Sequence, residues 1–323
     1  MKNPILPFVQ KHGAFVLDGG LATELEARGA DLSDDLWSAR LLRDDPEMIE
    51  QVHWAYFEAG ADCAITASYQ ATIPGFVAQG MSEFEAIRLL WLAVNVAVRA
   101  RDRFWSQRGL SLSKPGLSQV HSSLRRERPL VAASVGPYGA YLADGSEYRG
   151  DYELEEDGLV DWHRRRWHIL ARTQADLLAC ETIPSFAEAR ALARLLPETP
   201  ERMAWFSFSC KDGVHISDGT PLAECAAYLE QFEQVAAIGI NCTPPRFLPE
   251  LIQSAFAATQ KPIIVYPNSG ETYDVARKHW HGESVPAEFG TMSREWRKLG
   301  AAGLGGCCRT RPAHIQQIRD RFR

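Results

Sequence analysis

Short apolar runs alternate along the chain with longer stretches whose apolar positions recur at helical spacing. Eight runs read as strands: AFVLDGG at 14–20, CAITAS at 63–68, LVAASVG at 130–136, LLACETIP at 177–184, MAWFSFSC at 203–210, AAIGINC at 236–242, PIIVYPNSG at 262–270 and AAGLGGCC at 301–308. Each is nearly continuous in apolar residues, as parallel strands covered by helices are. The stretches between them predict helices over 46–59, 81–105, 161–175, 185–195, 221–234, 247–258, 288–299 and 311–322. The first carries ordinary helix punctuation, with Asp45-Pro46 opening it and Gly60 closing it. Eight strands alternating with helices predict an α/β fold, a closed (β/α)8 TIM barrel, formed as one domain over residues 1–323. An open doubly wound sheet is the alternative, but neither a GxGxxG fingerprint nor a P-loop accompanies these strands.

One stretch interrupts the alternation. Residues 106–128, SQRGLSLSKPGLSQVHSSLRRER, are rich in Ser, Gly and basic residues and read as a surface loop before the third strand. Arg125, Arg126 and Arg128 read as solvated side chains rather than an anion site. Arg164, Arg165 and Arg166, on a presumed outer helix, read the same way.

Composition narrows the function classes. The 323 residues are 46% hydrophobic and 24% charged, an ordinary globular balance. Thirty-five basic against 41 acidic residues give a formal charge of −6, which disfavours a nucleic-acid partner. No apolar run approaches the roughly 18 residues of a membrane span. The N-terminal MKNPILPFVQKHG, broken by two prolines, lacks the form of a secretory signal. Seven cysteines, an odd number in a long chain, read as thiols or metal ligands in a reducing, cytoplasmic setting.

In such barrels chemistry gathers at the C-terminal ends of the strands. Asp18, Gly19 and Gly20 end the first strand here; Ser68 and Tyr69 follow the second. Ser134 and Tyr138 lie at the end of the third, Glu181 at the fourth, Asn241 and Cys242 at the sixth, Tyr266 at the seventh, and Cys307 and Cys308 at the eighth. The sixth and eighth strands are second neighbours, so Cys242, Cys307 and Cys308 can converge across the mouth. Three thiolates with one open position match a catalytic zinc arrangement. They equally fit three buried small hydrophobes, as free cysteines often are. Adjacent strand residues point to opposite faces, so Cys307 and Cys308 can share an ion only if the pleat breaks. Gly303, Gly305 and Gly306 are expected to supply that backbone freedom. Cys210 is the spare ligand; Cys180 is expected to face outward if Glu181 faces in.

Asp18 and Glu181 are acids on apolar strands, and a buried acid needs a partner, either a ligand's ammonium group or a structural donor. The amides of Gly19 and Gly20 can hold a carboxylate. Acid beside amides suits an amino-acid ligand. Lys211, after the fifth strand, offers a rival Schiff-base chemistry. A non-catalytic zinc or redox thiol protein is a second rival.

DGGLATEL, TASYQAT, SVGPYGAYLADGSEYRGDY, ETIP, GINCTPP, YPNSGE and GGCCRT together resemble the homocysteine S-methyltransferase family, over about residues 14–312. That resemblance implies a (β/α)8 barrel and a Zn2+ held by Cys242, Cys307 and Cys308. It implies that Asp18 and Glu181 hold the ammonium group of L-homocysteine, with Gly19 and Gly20 near its carboxylate. It further implies methyl transfer from a sulfonium donor to the homocysteine thiol, giving methionine. The SVGPYGAYLADGSEYRGDY stretch is similar to the short enzymes that use S-methylmethionine or S-adenosylmethionine. Ser68, Tyr69, Ser134, Tyr138, Asn241 and Tyr266 are further candidates for substrate contact, with Tyr69, Tyr138 and Tyr266 offering aromatic faces to a cation. With 15 residues after Cys308, no long C-terminal extension is present, and a monomer is expected.

Overall fold

A computed structural model describes residues 1–32, 38–112, 127–274, 279–281 and 284–322. Eight strands pair in parallel: β1 (Phe15–Val16), β2 (Cys63–Ile65), β3 (Leu130–Val135), β4 (Leu177–Ile183), β5 (Ala204–Phe208), β6 (Val235–Asn241), β7 (Ile263–Tyr266) and β8 (Ala301–Leu304). Their spatial order is β1-β8-β7-β6-β5-β4-β3-β2. A parallel bridge between Leu17 and Cys63 joins the two ends of that order, with the Asp18 amide donating to the Cys63 carbonyl at 3.1 Å. The ring is therefore the (β/α)8 barrel that the sequence pattern predicts.

Helices clothe the outside. Pro46–Ala59 begins where the Asp45 side chain accepts the Met48 amide at 3.0 Å and ends at left-handed Gly60. Glu83–Leu112, Glu156–Ala171, Phe186–Leu195, Leu222–Glu230, Leu248–Ala258, Pro286–Lys298 and Pro312–Arg321 follow the later strands. Helix Glu83–Leu112 runs past the boundary read from sequence, so residues 106–112 of the expected loop are helical. Residues 113–126, with Arg125 and Arg126, lie outside the described residues. Arg128 pairs with Asp102 at 2.7 Å. A short antiparallel ribbon, Thr272–Asp274 with His279–His281, follows β7.

Pleat alternation sorts the side chains into two cores. Val131, Ala133, Cys180, Phe206 and Ile238 face the helices, whereas Ala132, Ala179, Trp205 and Ile264 fill the barrel. Cys180 therefore points outward, opposite Glu181. Helix Leu6–His12 fills the bottom: Ile5 and Phe8 pack into the inner core, with the Phe8 and Phe15 rings 5.4 Å apart. Such an aromatic pair adds roughly 0.5–1.5 kcal/mol beyond its buried area. The plugged base leaves the opposite end, where every strand's C-terminus emerges, for chemistry.

Candidate active site

Cys242, Cys307 and Cys308 meet at that open end, their three sulfurs all within 4.8 Å of one another. Cys242 Sγ lies 3.5 Å from Cys308 Sγ. Cys242 follows β6 with φ at +49°, a left-handed turn that swings its thiol off the strand line. β8 stops at Leu304, so Cys307 and Cys308 lie beyond the pleat. The Cys307 amide donates to the Pro267 carbonyl at 2.8 Å, and the Ser269 amide donates to the Cys308 carbonyl at 3.0 Å. Cys210 stays in the outer core and takes no part in the trio.

The glycines of this turn act otherwise than expected. None of Gly303, Gly305 and Gly306 has a positive φ; the left-handed residue of the turn is Arg309, at +66°. Their role is close approach. A Cβ on Gly303 would strike Ile264, one on Gly305 would lie 2.7 Å from Leu17 Cβ, and one on Gly306 would collide with Thr310 Oγ1.

The sulfurs suit a tetrahedral ion. Thiolates about 2.3 Å from zinc stand about 3.8 Å apart, close to the spacing found. Hydrogen bonds from Cys242 and Cys307 pull the Cys308 thiol well below its ordinary value. Hydrogen bonding to Cys242 and Cys308, with burial, pushes Cys307 well above it. The trio thus titrates as one unit.

Two acids line the barrel beneath the sulfurs. Glu181 Oε1 accepts the Ser134 hydroxyl at 2.5 Å. Burial pushes this carboxyl up to about 7, against the pull of hydrogen bonds from Ser134 and Tyr266. Asp18 Oδ2 accepts the Ile65 amide at 2.8 Å, and burial holds its carboxyl well above the usual carboxylate range. Burial thus opposes the charged form of each acid, and a bound cation would favour it. The Gly20 amide donates to Thr310 Oγ1 at 3.1 Å, whereas the Gly19 amide has no such bond among the described residues.

The remaining candidates divide by position. Ser68 donates to the Ser134 carbonyl at 2.7 Å, tying β2 to β3. Asn241 is fully buried and holds both the Thr182 amide and hydroxyl. Thr182 in turn bonds the Tyr69 hydroxyl, which places Tyr69 near Cys242. Tyr266 is buried inside the barrel, its hydroxyl shared by Ser207, Trp205 and Glu181. Its polar end orients the acid, and its ring is not open to the mouth. Tyr138 packs outward against Tyr141, Tyr152 and Trp162, away from the sulfurs.

Several contributors escaped the motif reading. Tyr148 Oη lies 3.5 Å from Cys242 Sγ. Arg166 is buried, contrary to the solvated reading: it donates to the carbonyls of Gly136 and Tyr69 and touches His163, which in turn bonds Glu188 at 2.8 Å. Arg164 and Arg165 are exposed and pair with Asp161 and Glu83. Lys211 is exposed on its loop, without the desolvated pocket a Schiff-base lysine needs. Sequence reading expects no HxH pair, yet His279 and His281 form one on the ribbon after β7.

Comparison with known proteins identifies the family. The family model described as homocysteine S-methyltransferase matches residues 15–322. The chain belongs to the homocysteine S-methyltransferase family. Homocysteine S-methyltransferase YbgG of Bacillus subtilis is 54% identical over 316 residues, covering 98% of this chain and 96% of that one. Homocysteine S-methyltransferase of Escherichia coli is 46% identical, over 99% of this chain and 98% of that one. The crystal structure of the homocysteine methyltransferase MmuM of E. coli in its metallated form superposes with a TM-score of 0.86 at 43% identity, covering 99% of this chain and 100% of that one.

Proposed function

We propose that this chain transfers a methyl group from a sulfonium donor, S-methylmethionine first and S-adenosylmethionine second, to the thiol of L-homocysteine, giving methionine. We assign Zn2+ to Cys242, Cys307 and Cys308. The observation that carries the reading is the convergence of three sulfurs from β6 and the turn after β8 at the barrel's open end. A thiol with the ordinary value near 8.5 is mostly protonated at neutral pH, and zinc bound by these thiolates would supply its deprotonation.

The chain's own residues supply position and charge. Asp18 and Glu181 receive the homocysteine ammonium, which draws both carboxyls into their charged forms. Ser134 and Tyr266 hold Glu181 in place for it. The Gly19 amide is left to meet the substrate carboxylate. Fixing the reactants in line is worth several kcal/mol of barrier. As the homocysteine sulfur forms its bond to the methyl carbon, the donor's C–S bond breaks. The bonding pair stays on the donor sulfur, so a sulfonium becomes a neutral thioether. Thiolates and acids make the mouth electronegative, which attracts a cationic donor and gives a neutral methyl ether no advantage.

Methionine formation measured with each donor, with and without a chelator, tests this reading. Turnover with a sulfonium donor that a chelator abolishes is expected. Turnover indifferent to chelation, or none with any sulfonium, overturns it. A non-catalytic thiol protein would show reversible thiol oxidation and no turnover.

A further inference from the structure

Glu147 sits beside the mouth and forms no ion pair among the described residues. It lies in the single turn Ser146–Tyr148, and its neighbour Tyr148 reaches Cys242 Sγ at 3.5 Å. The turn is fixed in three ways. Ser209 Oγ donates to the Glu147 carbonyl at 3.4 Å, and Asp144 Oδ1 accepts the Ser146 amide at 2.9 Å. Gly139 packs beneath, where a Cβ would come within 2.5 Å of the Glu147 amide nitrogen. Glu147 Oε2 is enclosed yet has no hydrogen-bond partner among the described residues. The nearest basic side chain, Arg149, is engaged elsewhere, with Asp151 at 3.1 Å and the Asp144 carbonyl at 3.4 Å. Burial, with the Cys242 thiol and Asp144 alongside, raises the Glu147 carboxyl.

An enclosed oxygen without a partner costs free energy unless a ligand satisfies it. Asp18 and Glu181 already serve the amino-acid acceptor lower in the barrel. Glu147 enters with Tyr148 from the segment after β3, on the Cys242 side and next to Tyr69. The groups around it are Tyr69, Tyr148, the Cys242 thiol and Asp144, with Arg149 near but bound to Asp151, a lining that favours a cation.

We propose that Glu147, with the rings of Tyr69 and Tyr148, holds the positive charge of the methyl donor. This rests on the sulfonium-donor reading above. Glu147 selects for donor charge and takes no part in breaking the C–S bond. It separates the two ligands of the reaction: one acid pair for the acceptor, one acid for the donor.

Steady-state kinetics of the full-length, metal-loaded enzyme test the assignment with two donors. S-methylmethionine carries a sulfonium and an ammonium; dimethylsulfoniopropionate carries only the sulfonium. Glu147→Gln keeps the shape and removes the charge. It is expected to raise the donor KM about tenfold or more, with homocysteine KM, metal content and melting temperature unchanged. Glu147→Asp should recover part of the loss. A rise with both donors assigns the contact to the sulfonium, and a rise with S-methylmethionine alone assigns it to the ammonium; either supports the proposal. An unchanged donor KM overturns it, as does an equal rise in homocysteine KM or a Glu147→Asp variant no better than Glu147→Gln. Wild-type enzyme inactive with every sulfonium would overturn the parent reading as well, and so tells the two failures apart.

Discussion

Asn241 on β6 grips Thr182 at the end of β4, bypassing β5 between them: its Oδ1 accepts the Thr182 amide at 2.8 Å and its Nδ2 donates to Thr182 Oγ1 at 2.7 Å. Thr182 is held there at a φ of +58°, which costs a β-branched residue strain. Replacing Asn241 with Ala strands the buried Thr182 amide and leaves the Thr182 hydroxyl with Tyr69 alone. The expected loss is about 1–3 kcal/mol of stability for the unpaired amide, read from denaturant unfolding. An unfolding midpoint equal to that of the wild type would show that the clamp carries no load.

The thiol trio makes a simpler demand. Cys307→Ala removes one ligand of three, so bound zinc and methionine formation should both fall to near zero. Cys210→Ala, buried in the outer core, should leave metal content untouched. Elemental analysis of the purified variants decides it. Full zinc and full activity in Cys307→Ala would refute the ligand assignment.

Glu181 ties stability to pH. Its folded carboxyl is pushed up to about 7, above its value in the unfolded chain. The folded state therefore binds the extra proton between the two values, and stability falls as pH rises through that window. Above about 7 the loss is complete, on the order of 3 kcal/mol for a shift of this size. Glu181→Gln should lack this decline, so the difference between wild-type and variant melting curves from mildly acid to neutral pH isolates it. Homocysteine should reverse the decline in the wild type, because its ammonium favours the charged acid. A variant that keeps the wild-type slope would place the titration elsewhere.

Gly306 tests the turn that carries two of the thiols. A Cβ there meets Thr310 Oγ1, which already bonds the Cys307 carbonyl at 2.7 Å and the Gly20 amide. Gly306→Ala must displace Thr310 and with it Cys307. Weakened zinc affinity is expected, with overpacking costing about 1–3 kcal/mol. Competition with a chromogenic chelator measures the affinity, and an unchanged value would show that the turn yields without moving the sulfur.

The barrel was legible because its signal is periodic. Eight apolar runs, each short and each followed by a helical pattern, leave little else to build. Cys242, Cys307 and Cys308 were legible because topology alone brings the ends of β6 and β8 to one rim. What the sequence hid was contact across distance. Arg166 looks like any helix-surface basic residue until the helix rotates it onto the Gly136 and Tyr69 carbonyls. Glu147 and Tyr148 sit in a polar, glycine-flanked stretch that carries no periodicity. Tyr138 and Tyr266 lie at strand ends as expected, yet their rings turn outward and inward respectively, and strand position alone does not fix which. The glycines before Cys307 were visible, but their reason is the atoms opposite them, which no local pattern displays.

The short helix at the N-terminus, wedged under the inner core, has a consequence for the order of events. A vessel stoppered at its base fills from the top, so its contents leave in the reverse of their order of arrival. On the acceptor site proposed above, homocysteine would enter before the donor covers it, and with S-adenosylmethionine as donor methionine would wait behind the spent donor. Product inhibition should carry that signature of last in, first out.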